Sequence, residues 1–292
     1  MARYASIDVG TNTVLMLVAE RSADAWQPIV EREAITRLGR GVDRTRHLAV
    51  ESIDATVNAL TTFAAEARAL GAAQIVTTAT SAARDATNGA VFLAAARARA
   101  GLEIEILAGD EEARLSFAAA WADFGGDQPL IVLDIGAGST EVIYGRGATL
   151  DFRRSFSLGS VRLFERFGSD LGALRGQVRG AFSPLPAPPP GARFVAVAGT
   201  ATSLSGVCRG RVDVHGDVMT REEVIETVAR LLSLSLEERT RLPGLSPQRA
   251  DVILAGAIIF DEAMRSFGAT EVTISDRGLR WGLLSDRFRD AP

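Results

Sequence analysis

Two short runs hold the residues whose types and spacing could do chemistry: Asp8-Val-Gly-Thr-Asn-Thr13 and Asp134-Ile-Gly-Ala-Gly-Ser-Thr-Glu141. Each closes an apolar run of strand type with a carboxylate, then turns on glycine among hydroxyl or amide side chains. Backbone N–H groups freed by a glycine turn form a nest for an anion, and Ser and Thr hydroxyls add donors. A carboxylate beside such a nest would repel phosphate unless a divalent cation lay between them. Mg2+ is commonly held by one or two carboxylates together with phosphate oxygens and water. Either run alone reads as an ordinary hairpin turn, where Asp and Gly are common. Two copies, with Asp8 and Asp134 at equivalent places 126 residues apart, favour chemistry on a Mg2+-bound phosphate.

Three further segments carry polar groups at element ends. Val197-Ala-Gly-Thr-Ala-Thr202 runs from a strand pattern into a helix start, which would aim N–H groups at an anion. It reads equally well as a plain helix capped by Thr200 or Thr202. Asp110-Glu-Glu-Ala-Arg-Leu115 opens a helix, and acidic residues in a first turn complement the helix dipole. Glu111 is read that way. Glu112 falls close to the junction of two halves, where a carboxylate could take a proton from an attacking water. Arg84 lies in a polar stretch over residues 80–88, read as a loop running into a helix. An arginine there could clamp phosphate through two parallel hydrogen bonds. On composition alone it reads as one surface arginine among many.

The rest of the composition excludes more than it suggests. All 32 basic residues are arginine, so Schiff-base chemistry, a P-loop lysine and a kinase-type strand lysine are ruled out. With 36 acidic residues the net charge is −4, which gives no basic face for a nucleic-acid coat. No Gly-x-Ser-x-Gly elbow occurs, and Gly39-Arg-Gly41 lacks the third glycine of a dinucleotide fingerprint. The single cysteine, Cys208, forbids an intrachain disulfide or a Cys-based metal cluster and reads as a small buried hydrophobe. His47 and His215 read as surface or loop residues. The N-terminus lacks a signal-peptide layout, and the longest apolar run falls far short of the roughly 20 residues that span a bilayer. The expectation is a soluble, cytoplasmic protein without a membrane partner.

The elements that must position these groups alternate between strand and helix, which predicts α/β layers. Two strands meet at residues 10–12, with a third near 28–33. A helix follows whose apolar residues Ile53, Val57, Leu60, Ala64 and Ala67 share one face. Strands are predicted at 74–78 and 103–107, with a helix at 90–100 between them. After residues 124–128 the opening pattern restarts at Leu130. A proline-rich connector covers 183–191. Helices are predicted at 220–233, with a Thr220…Glu223 capping box, and at 246–267, with Pro247 in its first turn. A last strand falls at 270–274 and a last helix at 279–289. A chain of 292 residues suits about two domains.

These runs join others in a fixed order: Arg37-Leu-Gly-Arg-Gly-Val-Asp43, Thr78-Ala-Thr-Ser-Ala-Ala-Arg84 with Asp85-Ala-Thr-Asn88, Gly109-Asp-Glu-Glu-Ala-Arg-Leu115, and Ser275-Asp-Arg-Gly-Leu-Arg280. The ordered set covers nearly the whole chain and resembles the exopolyphosphatase / guanosine pentaphosphate phosphohydrolase (Ppx/GppA) family of the actin/Hsp70/sugar-kinase superfamily. The resemblance implies an α/β fold of two ribonuclease-H-like domains, 1–126 and 127–278, with an interdomain cleft. It also implies that the last helix, about 279–292, packs back on the first domain. The implied activity is hydrolysis of the terminal phosphoanhydride of inorganic polyphosphate, or of guanosine pentaphosphate, with Mg2+ or else Mn2+.

By the same resemblance Glu112 is the base for water and Arg84 binds the phosphoryl group. Asp134 and Glu141, assisted by Asp8, hold the metal or polarise the water. Asn12, Thr13, Gly136, Gly138, Ser139, Thr140, Gly199 and Thr200 cradle phosphate oxygens, and the 39–43 loop borders the substrate entrance. A homodimer is the family expectation. No aromatic residue is clearly placed to stack on guanine, which tilts the reading towards polyphosphate. Longer relatives carry a further C-terminal helical domain, so this chain is expected to favour short substrates. Two departures stand out: Ala137 replaces a family glycine, and Trp281 stands where the family often has Glu. Readings of other classes are a non-catalytic (p)ppGpp or polyphosphate sensor and a sugar or acetate kinase.

Overall fold

Two sheets built on one strand order carry the chain. The computed structural model describes residues 2–22 and 25–289. They fall into two compact units. One runs to Leu115 and resumes at Leu279, and the other runs from Ser116 to Gly278.

The first unit opens with an antiparallel meander, β1 (Arg3–Val9), β2 (Thr13–Ser22) and β3 (Ala25–Ile35). A short α1 (Val42–Thr45) and the long α2 (Val50–Ala69) lead to β4 (Ala72–Ala79), which returns parallel to β1. The five apolar residues predicted to share one face of α2 are all buried against the sheet. Next come α3 (Ser81–Asp85), α4 (Gly89–Ala100), the two-residue β5 (Glu105–Ile106) and α5 (Gly109–Phe124). The sheet order is β3-β2-β1-β4-β5, the ribonuclease-H-like arrangement. Register places Asp8 opposite Leu15 on β2 and beside Thr78 on β4. Two expectations change here. The 80–88 stretch is not all loop, because Ala82 and Ala83 bury their methyl groups and draw it into the single turn α3. The strand predicted at 103–107 pairs only at Glu105 and Ile106.

The second unit repeats the plan. It contains β6 (Leu130–Ile135), β7 (Thr140–Arg146), β8 (Thr149–Phe156), α6 (Ser160–Phe167), α7 (Leu171–Phe182), β9 (Arg193–Val197), α8 (Ala198–Arg209), β10 (Val218–Thr220), α9 (Arg221–Ser233), α10 (Leu236–Arg239), α11 (Ile253–Phe267) and β11 (Glu271–Ile274). Its sheet order is β10-β11-β9-β6-β7-β8. The capping box at Thr220 is present, with both reciprocal hydrogen bonds. The helix predicted over 246–267 is divided. Pro247–Arg249 form a 3-10 turn and α11 begins only at Ile253, since the intervening N–H groups bond three residues back. β8, α6 and α7 were not foreseen from the hydropathy pattern.

The last helix, α12 (Leu279–Arg287), belongs to the first unit. Leu279 and Leu283 pack with Leu107 and Leu115. A Cβ at Gly282 would lie 2.2 Å from the Leu115 carbonyl oxygen, so α12 rests directly on backbone. Ser6 Oγ donates to the Arg280 carbonyl at 2.8 Å, and Arg114 bonds Asp286 at 2.8 Å. Trp281 is buried in this helix. No helix among the described residues is long and apolar enough to cross a membrane.

Candidate functional site

The two glycine turns fold alike. Gly10 N donates to the Thr13 carbonyl at 2.9 Å, and Gly136 N donates to the Ser139 carbonyl at 3.0 Å. Each bond links the strands of an antiparallel pair just beyond a carboxylate, Asp8 on β1 or Asp134 on β6. Among the described residues, the non-glycine residues with left-handed backbone are Arg37, Arg46 and Ala198. Ala137 is not among them, so alanine occupies this turn without backbone strain.

In the first unit, α3 and α5 bring Arg84 and Glu112 together. Arg84 Nη1 donates to Glu112 Oε2 at 3.2 Å and to the Leu107 carbonyl at 2.7 Å. Glu112 is buried in the first turn of α5, with its N–H on the Ala108 carbonyl. Arg84 is therefore not a surface arginine, its side chain being only 27% exposed. A guanidinium carries five N–H donors, so one that holds its neighbours through Nη1 has others to offer a phosphoryl oxygen. Glu111 pairs with Arg114 at 2.7 Å on its own helix. Asn12 and Thr13 are buried at the turn, and the Asn12 carbonyl accepts the N–H groups of Thr36 and Arg37.

In the second unit, Asp134 and Glu141 are direct cross-strand partners on β6 and β7. Such partners share a sheet face with Cβ atoms roughly 5 Å apart. Both are buried. Ser116 Oγ donates to Asp134 Oδ2 at 2.6 Å, and Ser155 Oγ donates to Glu141 Oε1 at 2.6 Å. Burial pushes the Asp134 carboxyl above the usual carboxylate range, and the Ser116 hydrogen bond works the other way. The hard oxygens of the two carboxylates suit Mg2+. No group of three or more His, Cys, Asp or Glu able to hold a metal occurs among the described residues. A cation here would complete its shell with water and phosphate oxygens, as Mg2+ commonly does.

Gly138 and Ser139 are buried at the turn itself. Thr140 turns its hydroxyl inward, donating to the Leu158 carbonyl at 2.6 Å. Gly199 and Thr200 open α8, where neither threonine caps the helix. The cap position is Val197, with no side-chain bond, and Thr202 Oγ1 bonds back to the Ala198 and Gly199 carbonyls. An uncapped helix start keeps its first N–H groups for an anion.

Sequence reasoning missed Arg249. A Cβ on Gly199 would lie 1.9 Å from Arg249 Nη1, so the guanidinium rests against the start of α8. Arg249 comes from the 3-10 turn before α11 and carries no signal of its own in the sequence.

The profile of the Ppx/GppA phosphatase family matches residues 17–290. The chain is 33% identical over 312 aligned residues to Exopolyphosphatase 2 of Mycobacterium tuberculosis, covering 97% of this chain and 98% of that one. It is 32% identical to an uncharacterised protein of Streptomyces coelicolor, covering 99% and 91%. Among solved structures it is similar to the Ppx/GppA family member of Aquifex aeolicus, with a TM-score of 0.84 and 28% identity over 100% of this chain and 99% of that one. An exopolyphosphatase-like protein matches with a TM-score of 0.90 and 26% identity over 99% and 98%.

Proposed function

Because the chain belongs to the Ppx/GppA phosphatase family, a family of phosphoanhydride hydrolases, we propose that it is an exopolyphosphatase that releases terminal phosphate from inorganic polyphosphate. Water attacks the terminal phosphorus, the bond to the bridging oxygen breaks, and a chain shorter by one phosphate leaves. This chemistry needs an aligned water, donors around the transferred phosphoryl and neutralisation of its charge, with little covalent help.

Glu112 takes the proton from the attacking water. Arg84, already bonded to Glu112, binds the phosphoryl oxygens and aligns them with that base. The 136–140 turn and the start of α8 supply N–H donors that need no reorganisation during reaction. Asp134 and Glu141 hold Mg2+, which when bound supplies charge neutralisation and Lewis-acid polarisation of phosphate oxygen. Asp8, with Asn12 and Thr13, gives the first turn the same layout of a carboxylate behind a phosphate nest. The absence of lysine is no obstacle, since arginine and backbone N–H groups can supply the positive field.

The observation that carries the reading is the Arg84–Glu112 pair. The test offers the protein short polyphosphate, long polyphosphate and guanosine pentaphosphate with Mg2+ and measures phosphate release. Glu112→Gln is expected to lower release from polyphosphate by about a hundredfold or more while ligand binding persists. Release from the nucleotide alone would make the protein a guanosine pentaphosphate phosphohydrolase. Binding with no release from any phosphoanhydride would make it a sensor.

A further inference from the structure

The second glycine turn is gripped from behind by α6. Ser160 N donates to the Gly136 carbonyl at 3.1 Å, while Val161 N and Arg162 N donate to the Ala137 carbonyl at 3.0 and 3.1 Å. Arg162 Nε then donates to the Gly138 carbonyl at 2.7 Å. Three successive carbonyls thus face α6. In a trans peptide the C=O and N–H point opposite ways, so the N–H groups of Ala137, Gly138 and Ser139 are turned away from that helix. The fit leaves no slack: a Cβ at Gly159 would lie 2.3 Å from the Ala137 carbonyl oxygen.

The first turn is gripped in a similar way by backbone N–H groups. Gly39 N donates to the Thr11 carbonyl at 2.8 Å, and Thr36 N and Arg37 N donate to the Asn12 carbonyl at 3.0 and 2.9 Å. Asn12 and Gly138 are 126 residues apart, the same offset as Asp8 and Asp134. Where the first turn uses peptide N–H groups, the second uses a guanidinium, and that guanidinium belongs to a residue only 7% exposed. Arg162 Nε therefore ties the Gly138 peptide to α6 at the position where the first turn is tied by peptide N–H groups.

We propose that Arg162 is the positioning residue of the second phosphate turn. It fixes the Gly138 peptide so that three N–H groups converge on phosphoryl oxygens. The inference rests on the reading that residues 136–140 bind phosphate.

The test is binding of tripolyphosphate with Mg2+ by calorimetry in the Glu112→Gln protein, which does not turn it over. Adding Arg162→Met is expected to weaken binding at least tenfold, and Arg162→Lys to restore part of that loss. In NMR titrations the Ala137, Gly138 and Ser139 amide resonances are expected to shift with ligand in the parent and to respond much less in Arg162→Met. If Arg162→Met fails to fold, Arg162→Lys decides, with binding expected to weaken about threefold or more. Parent-like affinity and amide shifts in a folded Arg162 variant would overturn the proposal. Failure of the Glu112→Gln parent to bind tripolyphosphate would instead overturn the phosphate reading of the turn.

Discussion

Asp134 and Glu141 stand opposite one another on β6 and β7, and each has one carboxylate oxygen fixed by a serine hydroxyl at 2.6 Å. Burial raises the Asp134 carboxyl, so its contribution to stability is fully present below the ordinary carboxylate range and is lost as pH rises through the raised value. On the proposed function, a divalent cation would bind the ionised form and reverse that loss. The Mg2+-induced rise in melting temperature is therefore expected to grow as pH increases, and Asp134→Asn is expected to flatten that dependence. Chelation should abolish activity and added Mg2+ restore it.

Ser116 acts on the same carboxylate from α5, where it is fully buried. Ser116→Ala removes the hydrogen bond that lowers the Asp134 carboxyl. The expected result is a several-fold higher Mg2+ concentration for half-maximal activity, with about 1 kcal/mol lost in urea unfolding. An unchanged Mg2+ requirement alongside the stability loss would assign Ser116 to packing alone.

Ala137 and Gly159 make opposite predictions about one turn. Ala137 lacks left-handed backbone, so Ala137→Gly is expected to leave activity within about twofold and to cost about 0.5–1 kcal/mol through the freer unfolded chain. Gly159→Ala would drive a methyl group to within 2.3 Å of the Ala137 carbonyl oxygen and 2.5 Å of Gly138 N. Backbone must then move, and activity is expected to fall at least tenfold. Phosphate-release assays with matched melting curves check both variants.

Much of this was legible in the sequence because it is local. The repeated strand, carboxylate and glycine turn at Asp8 and Asp134 is written in adjacent residues, and so is the apolar face of α2. Arg162 and Arg249 were illegible because their roles depend on where α6 and a 3-10 turn fold back, and arginine is the sole basic residue type throughout the chain. The serine partners of Asp134 and Glu141 were hidden for the same reason: Ser116 lies 18 residues from its carboxylate and Ser155 lies 14. The division of the 246–267 helix turns on hydrogen bonds three rather than four residues back, a difference that hydrophobic periodicity does not encode.

Glu262 gives the sharpest test of how the second unit holds together. It is completely buried on α11, yet Arg175, Arg179 and Arg265 all bond it, with Arg175 Nη1 at 2.6 Å and Arg265 Nε at 2.8 Å. Burial pushes its carboxyl up, but the three guanidinium groups together outweigh burial and hold it down to about 2. The folded value lies below the unfolded one, so the stabilisation is present above the ordinary glutamate range. It is lost as pH falls from about 4.5 through about 2. A shift of that size corresponds to about 3 kcal/mol. Glu262→Gln removes the charge and leaves three guanidinium groups crowded without it. It is expected to destabilise the protein by about 3 kcal/mol or more at neutral pH. Its stability should also change less between pH 5 and pH 2 than that of the unaltered protein (ranges set by the reference glutamate value). Urea unfolding across that range checks both. Parallel pH profiles for the two proteins would show that the arginine ring is not anchored by the Glu262 charge.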